Sequence, residues 1–270
     1  MSRIDILFGE EETCSTGSRR KGPVSLQFAT LCSATCWSPI GQSDPRPGDS
    51  TVDESHCIGK EKIGEHIKLY FVRHGESIAN LLREFSNSGI KHPLTEKGVA
   101  QARALAQTLA GIPFESIHSS PVLRAMQTAQ IVAEQLHVPV EVTEALREWS
   151  VGIYEGTTDP TGWELHRKVQ EDWYFHNEPG SRMSGGESFD EIRERFVPFI
   201  ESLIQKYKNT DRNILCVAHG GLYTAMLPVI IENIDHAFVT EKGVAHTSPI
   251  ITEVRPAGLY CTTWCDTPMV

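Results

Sequence analysis

The sequence lacks two features that would each define a class of protein. It has no apolar run of the roughly 18 residues that a membrane-spanning helix needs; the longest candidate, 222–231, contains Tyr223, Thr224 and Pro228. It also lacks an excess of positive charge, since the formal net charge is −10. Neutralising the phosphates of a nucleic acid requires a basic face. We therefore expect neither a membrane nor a nucleic-acid partner.

Paired cysteine spacing is absent as well. The seven cysteines are odd in number and form no C-x-x-C pair, which argues against a disulfide framework and against a zinc site. The start of the chain has no apolar signal core, and the acidic run Glu10–Glu12 argues against an organelle transit peptide. These absences favour reduced thiols and a cytoplasmic location.

The chain divides into two unequal parts. Its 270 residues correspond to one or two domains at about 150 residues per domain. Residues 1–65 are rich in Ser, Thr, Gly and Pro and show no sustained helical or strand period. We expect a loosely ordered extension over 1–65 and one folded domain over 66–270.

Two short apolar segments of the second part end in the same way. Leu69–Val72 reads as a buried strand and stops at Arg73 and His74, and Ile214–Ala218 stops at His219. Each of these histidines is followed by glycine. In an open α/β sheet, ligands bind beyond the carboxyl ends of the strands. The pattern therefore places two imidazoles and a guanidinium where a ligand would bind.

A second arginine and a carboxylate extend this pattern. Ser120 and Pro121 suit the N-cap and the first position of a helix, and Arg124 would lie in its first turn, where a guanidinium beside free N–H groups favours an anion. Glu148 follows a predicted strand and precedes Trp149, whose bulk would desolvate the carboxyl and raise its pKa, as suits a general acid. A solvated surface side chain is the alternative for both Arg124 and Glu148.

The segment between Glu148 and His219 is predicted to contain two helices. Trp163–Phe175 reads as a helix that forms a lid or specificity segment. Ser188–Glu191 is a capping box that opens a longer helix, in which Pro198 would cost about 3 kcal/mol or force a kink. We interpret His236, His246 and the other histidines without a motif as structural.

Taken in order, these motifs make residues 67–265 resemble the histidine phosphatase superfamily, in its phosphoglycerate-mutase-like branch. Six motifs carry the resemblance: Val72–Ser77 with Asn80, Pro93–Gly98, Ser119–Pro121 through Arg124 to Ala129, Glu148 before Gly152, Gly185–Ser188, and Ala218–Gly221. Two positions depart from the family's usual pattern, because Lys91 replaces an aspartate and His246 stands near a usual asparagine. Both could alter substrate contacts, and neither removes a catalytic group.

The resemblance implies a three-layer α/β/α sandwich with a mostly parallel central sheet. It implies that His74 is the nucleophile and forms a phosphohistidine, and that Glu148 donates and later accepts a proton. Arg73, Arg124 and His219 would surround the phosphoryl group and stabilise its charge. The substrate-binding residues that it implies are Arg73, Ser77, Asn80, Arg124, His219 and Gly220. It implies no metal and no cofactor.

The resemblance leaves the reaction open between three functions. Mutases of this family carry a long basic insertion between the acid and the second histidine. Here Glu148 and His219 lie 71 positions apart, and residues 164–194 hold more acids than bases. The compact spacing favours a phosphatase that acts on a small phosphomonoester, such as a sugar phosphate or another phosphorylated metabolite. Mutase-type phosphoryl transfer and a non-catalytic binding protein are the alternatives, and a homodimer is left open.

Overall fold

Strands and helices alternate through most of the computed structural model, which describes residues 67–269. The predicted extension over residues 1–65 lies outside the described residues. The strands are β1 (Lys68–Arg73), β2 (Phe114–Ser119), β3 (Val140–Val142), β4 (Asn213–Ala218), β5 (Ile250–Arg255), β6 (Gly258–Trp264) and β7 (Thr267–Pro268). The helices are α1 (Ile78–Leu82), α2 (Glu96–Thr108), α3 (Leu123–Leu136), α4 (Pro160–Phe175), α5 (Phe189–Lys206), α6 (Gly220–Ile230) and α7 (His236–Lys242). Within residues 67–269, no helix is long and apolar enough to cross a membrane.

The seven strands of this range form one sheet in the order β3-β2-β4-β1-β5-β6-β7. β1 and β2 both run parallel to β4, and β3 runs parallel to β2. β5, β6 and β7 extend the sheet by antiparallel pairing. The carboxyl ends of β1, β2 and β4 therefore lie side by side at one edge of the sheet.

Helices cover both faces of the sheet, which explains why its central strands are apolar throughout. Successive side chains of a strand point to opposite faces. Leu69 and Phe71 pack with residues of α5, α6 and α7, whereas Tyr70 and Val72 pack with residues of α2 and α3. The predicted α/β/α sandwich is thus confirmed, with a sheet that is parallel from β3 to β1 and antiparallel from β1 to β7.

The start of α3 differs from the sequence prediction. The helix begins at Leu123 with Val122 at the N-cap, so Ser120 is not its N-cap and Pro121 is not its first residue. The Ser120 hydroxyl instead accepts a hydrogen bond from the Val122 N–H at 3.2 Å and contacts His219 at 2.7 Å. This tertiary contact, invisible in a local motif, holds Ser120 in the loop before the helix. Arg124 still lies in the first helical turn, and it is buried rather than solvated.

The two helices between Glu148 and His219 are present as predicted. α4 covers the whole of 163–175, and α5 begins with the capping box, since the Ser188 hydroxyl accepts from the Glu191 N–H and the Glu191 carboxylate accepts from the Ser188 N–H. α5 continues unbroken past Pro198. Its apolar stripe, which includes Phe196 and Ile200, stays buried and outweighs the lost hydrogen bond.

We predict that Ser188→Ala lowers the free energy of unfolding by about 1 kcal/mol, because the first turn of α5 loses its side-chain acceptor. Urea denaturation measures the difference. Ser202→Ala, at an exposed position of the same helix, is the matched control and should change stability by less than about 0.5 kcal/mol. Equal losses in the two variants would contradict a capping role for Ser188.

Candidate active site

The two strand-end histidines meet at the edge where β1 and β4 end. The His74 N–H donates to the Ala218 carbonyl at 3.0 Å, which ties the two strand ends together directly before His219. The centroids of the His74 and His219 rings are 5.2 Å apart. Both rings therefore reach the same small space, as the strand-end pattern predicts.

One guanidinium connects the two rings. The Arg124 Nε–H donates to Nε2 of His74 at 2.9 Å, and its Nη2 lies 3.1 Å from Nδ1 of His219. Its Nη1 donates to the Ser86 carbonyl at 2.6 Å. A guanidinium only donates hydrogen bonds. Arg124 therefore requires an unprotonated nitrogen on each imidazole.

The remaining contacts of the rings fix the same tautomers. Nδ1 of His74 lies 2.7 Å from the Gly75 carbonyl oxygen, which can only accept, so the proton of this ring is on Nδ1 and the lone pair is on Nε2. On His219, Nδ1 accepts from Arg124, so Nε2 carries the proton and donates to the Ser120 hydroxyl. His74 therefore presents a free-base nitrogen at Nε2.

Burial and charge keep both imidazoles neutral. Burial lowers the pKa of His74 well below its ordinary value, and the guanidiniums of Arg124 and Arg73 lower it further. The pKa of His219 is lowered by the same causes. A neutral imidazole is the nucleophilic form, so the surroundings of His74 preserve its nucleophile well into the acid range.

Glu148 is a buried carboxylate that lines the same cavity as His74 and Arg124. Its Oε1 accepts from the Trp149 N–H at 3.1 Å, and its Oε2 accepts from the Gly221 N–H at 3.0 Å. Burial raises the pKa of Glu148, an effect that the charge of Arg124 and these N–H groups partly offset. The raised pKa is the direction expected from the bulk of the neighbouring Trp149 and is suited to proton transfer.

Gly221 leaves room for this carboxylate at the start of α6. A Cβ at position 221 would lie 2.9 Å from each oxygen of the Glu148 carboxylate and 2.8 Å from Nε1 of Trp149. Neither neighbour can retreat easily, because both are buried. The glycine therefore allows Glu148 to approach the first turn of the helix that follows His219.

Arg73 supplies a second guanidinium beside His74. One of its terminal nitrogens donates to the Val244 carbonyl at 2.9 Å. Its Nε is buried and has no hydrogen-bond partner among the residues that the structure describes. A buried charged donor without a partner is unfavourable. An anion beside His74 would supply the missing acceptor.

The three other predicted substrate-binding residues are placed differently from one another. Asn80 and Gly220 line the cavity in front of His74. Ser77 is fully buried, and its hydroxyl donates to Oδ1 of Asn80 at 2.9 Å. Ser77 thus orients Asn80 in this structure. Contact of these three residues with a substrate stays a prediction.

The cavity that contains these groups has a volume of about 510 Å³. Arg73, His74, Arg124, Glu148 and Gly220 line it. Residues of α4 and α7 also line it, so the predicted specificity helix does border the site. Sites of roughly 300–1,000 Å³ hold a complete small molecule. The cavity therefore has room for a leaving group as well as a phosphoryl group.

Sequence reasoning treated two histidines of this region as structural. Nδ1 of His246 lies 2.7 Å from the His74 carbonyl oxygen and therefore donates to it, and the two ring centroids are 5.4 Å apart. His166 lines the cavity and stacks on Trp149 at 4.4 Å. Neither histidine follows a strand-end motif, so the only local signal was the departure from the family's asparagine near position 246. Lys91, the other departure, pairs with Glu84.

We predict that His166 makes stability depend on pH. Burial lowers its pKa to about 4, against about 6.5 in an unfolded chain. Between these values the unfolded chain binds a proton that the folded protein does not, so stability falls as the pH falls below 6.5. His166→Gln should reduce the difference in unfolding free energy between pH 7 and pH 5 by up to about 2 kcal/mol.

Urea denaturation at the two pH values measures this effect. Gln170→Ala, which replaces a residue of the same helix that does not titrate, is the control for general loosening of α4. A His166→Gln variant that loses as much stability as the unchanged protein between pH 7 and pH 5 would contradict the prediction.

Comparison with known proteins connects this geometry to a family. The chain is 32% identical to "Putative phosphoserine phosphatase 2" of Hydrogenobacter thermophilus over 186 residues, which cover 66% of this chain and 87% of that protein. It is 29% identical to 2,3-bisphosphoglycerate-dependent phosphoglycerate mutase 2 of Gloeobacter violaceus over 196 residues, covering 71% and 88% of the two chains.

A solved structure and the sequence pattern of a whole family lead to the same assignment as these relatives. The crystal structure of a phosphoglycerate mutase from Bacillus anthracis superposes with a TM-score of 0.63 at 25% identity, covering 76% of this chain and 95% of that one. The sequence pattern of the histidine phosphatase superfamily, branch 1, matches residues 69–267. The chain therefore belongs to the histidine phosphatase superfamily.

Proposed function

We propose that the protein is a phosphatase that hydrolyses a small phosphomonoester through a phosphohistidine on His74, with Glu148 as proton donor and acceptor. The observation that carries this proposal is the bridge that Arg124 makes between Nε2 of His74 and Nδ1 of His219. This bridge brings two neutral imidazoles and a buried cation together at one point. A phosphoryl group is an anion that needs a nucleophile and stabilised charge at that point.

In the first step the substrate's phosphate displaces the contacts between Arg124 and the rings. Hydrogen bonds between a cation and an anion are about twice as strong as neutral ones, so the guanidinium turns from the imidazoles to the phosphoryl oxygens. This frees the Nε2 lone pair of His74. Arg73, whose Nε has no partner among the described residues, donates to the same oxygens.

The chemical step then transfers the phosphoryl group. The Nε2 lone pair forms a bond to phosphorus while the bond from phosphorus to the leaving oxygen breaks. The protonated Glu148 carboxyl donates its proton to that oxygen. The Gly75 carbonyl continues to accept from Nδ1–H and so stabilises the positive charge that develops on the ring.

Water completes the cycle. The Glu148 carboxylate takes a proton from a water molecule, whose oxygen attacks phosphorus as the P–N bond breaks. Inorganic phosphate leaves, and His74 returns to its neutral tautomer. One carboxyl thus serves as acid and then as base, which the raised pKa of Glu148 supports.

Mutase-type transfer is the second candidate, because the relatives that match this chain include proteins named as mutases in addition to proteins named as phosphatases. A mutase of the bisphosphate-dependent kind needs a second site for negative charge. Apart from the proposed catalytic groups Arg73, Arg124 and Glu148, the charged residues that line the described cavity are Arg167, Glu84 and Glu171. Because one basic residue stands beside two acidic ones, this part of the cavity disfavours a second phosphate. The lining therefore favours the phosphatase over the mutase.

His74→Ala is expected to abolish phosphate release from p-nitrophenyl phosphate and to prevent the acid-labile phosphoenzyme that rapid quench of the unchanged protein would capture. His118→Asn, which replaces a buried histidine of β2 outside the cavity, is the control and should retain both signals. Turnover by the His74→Ala variant would remove His74 from its role. Interconversion of phosphoglycerates without net phosphate release would favour the mutase.

Glu148→Gln should discriminate between leaving groups. Alkyl phosphates need protonation of the departing oxygen, so their kcat/KM should fall by about 10²–10⁴-fold, whereas the phosphorylation step with p-nitrophenyl phosphate should change far less. Stopped-flow burst rates with the two esters measure the contrast. Glu141→Gln, an exposed carboxylate of β3, serves as control. Equal losses on both esters would contradict proton donation by Glu148.

A further inference from the structure

The cavity has lining that phosphoryl transfer does not require. α4 contributes the aromatic residues Trp163, Tyr174 and Phe175, with four polar lining residues between the first and the other two. The catalytic groups account for only part of the lining. The remaining part is therefore where the rest of the substrate, the alcohol that leaves with the bridging oxygen, would lie.

The aromatic wall is held in place by contacts behind it. Trp163 stacks on Phe85 at 3.9 Å with an angle of 19° between the rings, and its Nε1–H donates to the Arg83 carbonyl at 3.0 Å. Tyr174 stacks on His236 at 4.5 Å and 13°. These rings keep their orientation without a ligand. A partner that packs against them need not order them first, which favours binding.

The same cavity also has aliphatic lining. Val239 and Val244 are buried and line it together with Thr240. Phe175 lines it too and is 53% exposed although it is large and apolar. Tyr174 stacks on His236 at the start of α7, so the aromatic end of α4 and these aliphatic side chains lie together and form a slot that suits a flat apolar group.

The charged residues of α4 give no preference for a second anion. Arg167 and Glu171 line the cavity from exposed positions of this helix, and they have opposite signs. A leaving group that carried a second phosphate would meet no excess of positive charge. A leaving group with an apolar ring would bury surface at roughly 25 cal/mol per Å².

We propose that the substrate is the phosphomonoester of an alcohol that carries a flat apolar ring, and that the slot between α4 and α7 binds this ring. The proposal rests on the phosphatase function proposed above. It excludes three-carbon phosphates as the preferred class, because they would leave the slot empty. Phe175 is the residue that determines this specificity.

The test uses two esters with the same leaving oxygen. Adenosine 5′-monophosphate and ribose 5-phosphate both release a primary 5′-alkoxide, so their chemical reactivity is matched and only the flat ring differs. We expect kcat/KM for phosphate release to be at least about tenfold higher for adenosine 5′-monophosphate, from apolar burial of the base. Phe175→Ala should reduce this preference about three- to tenfold, mainly through KM.

Val142→Ala is the matched control, since Val142 is 55% exposed on the edge strand β3 and does not line the cavity. It should leave the preference unchanged. Binding of the same two esters to the His74→Ala variant, measured by calorimetry, tests the slot without turnover. Tighter binding of adenosine 5′-monophosphate that Phe175→Ala weakens supports the slot even if hydrolysis fails.

Two results would overturn the inference. Equal kcat/KM for the two esters with phosphate release intact would refute the ring slot and leave the phosphatase function standing. A preference that survives Phe175→Ala in full would place the ring elsewhere. Absence of phosphate release from every ester, with the binding preference intact, would instead refute the phosphatase function alone.

Discussion

The site depends on a single buried cation. Arg124 donates from three nitrogens to three different segments: the residue after β1, the residue after β4, and the loop that contains Ser86. Burial lowers its pKa to about 10, which still leaves it charged at neutral pH. A neutral side chain of the same shape could not orient both imidazoles and also attract an anion. Its hydrogen bonds agree with the tautomers of both histidines, and its charge adds to burial and to the charge of Arg73 in keeping both neutral.

Close approach of backbone segments holds the groups around Arg124 in position. A Cβ on Gly98, in the first turn of α2, would overlap the Glu76 carbonyl oxygen two residues after His74. The Thr95 hydroxyl and the Lys97 ammonium both donate to the Glu76 carboxylate, at 3.0 and 2.8 Å. The loop after His74 therefore packs closely against the start of α2 and is fixed there. Gly221 has the same function on the side of Glu148.

The meeting of these side chains at one cavity could be predicted because it depends on local rules. His74 and His219 follow apolar strands, and parallel strands place their ends at one edge; Glu148 was identifiable because a bulky tryptophan follows it. The capping box at Ser188 is equally local. Ser120 was misassigned as an N-cap because its partner, His219, is far away in sequence. His246 and His166 were not recognised as residues of the site for the same reason. Their place in it comes from tertiary contacts with the His74 carbonyl and the Trp149 ring.

The parallel pairing of β1 with β4 has a consequence for how activity arises during synthesis. Lys68 pairs with Asn213, so the strand that presents His74 has no central neighbour until most of the chain has been made. Contacts between such distant segments form slowly, because a long loop must close first. A nascent chain that ends before β4 holds His74 without the imidazole of His219. Hydrolytic capacity therefore appears late and abruptly, as a property of the finished domain.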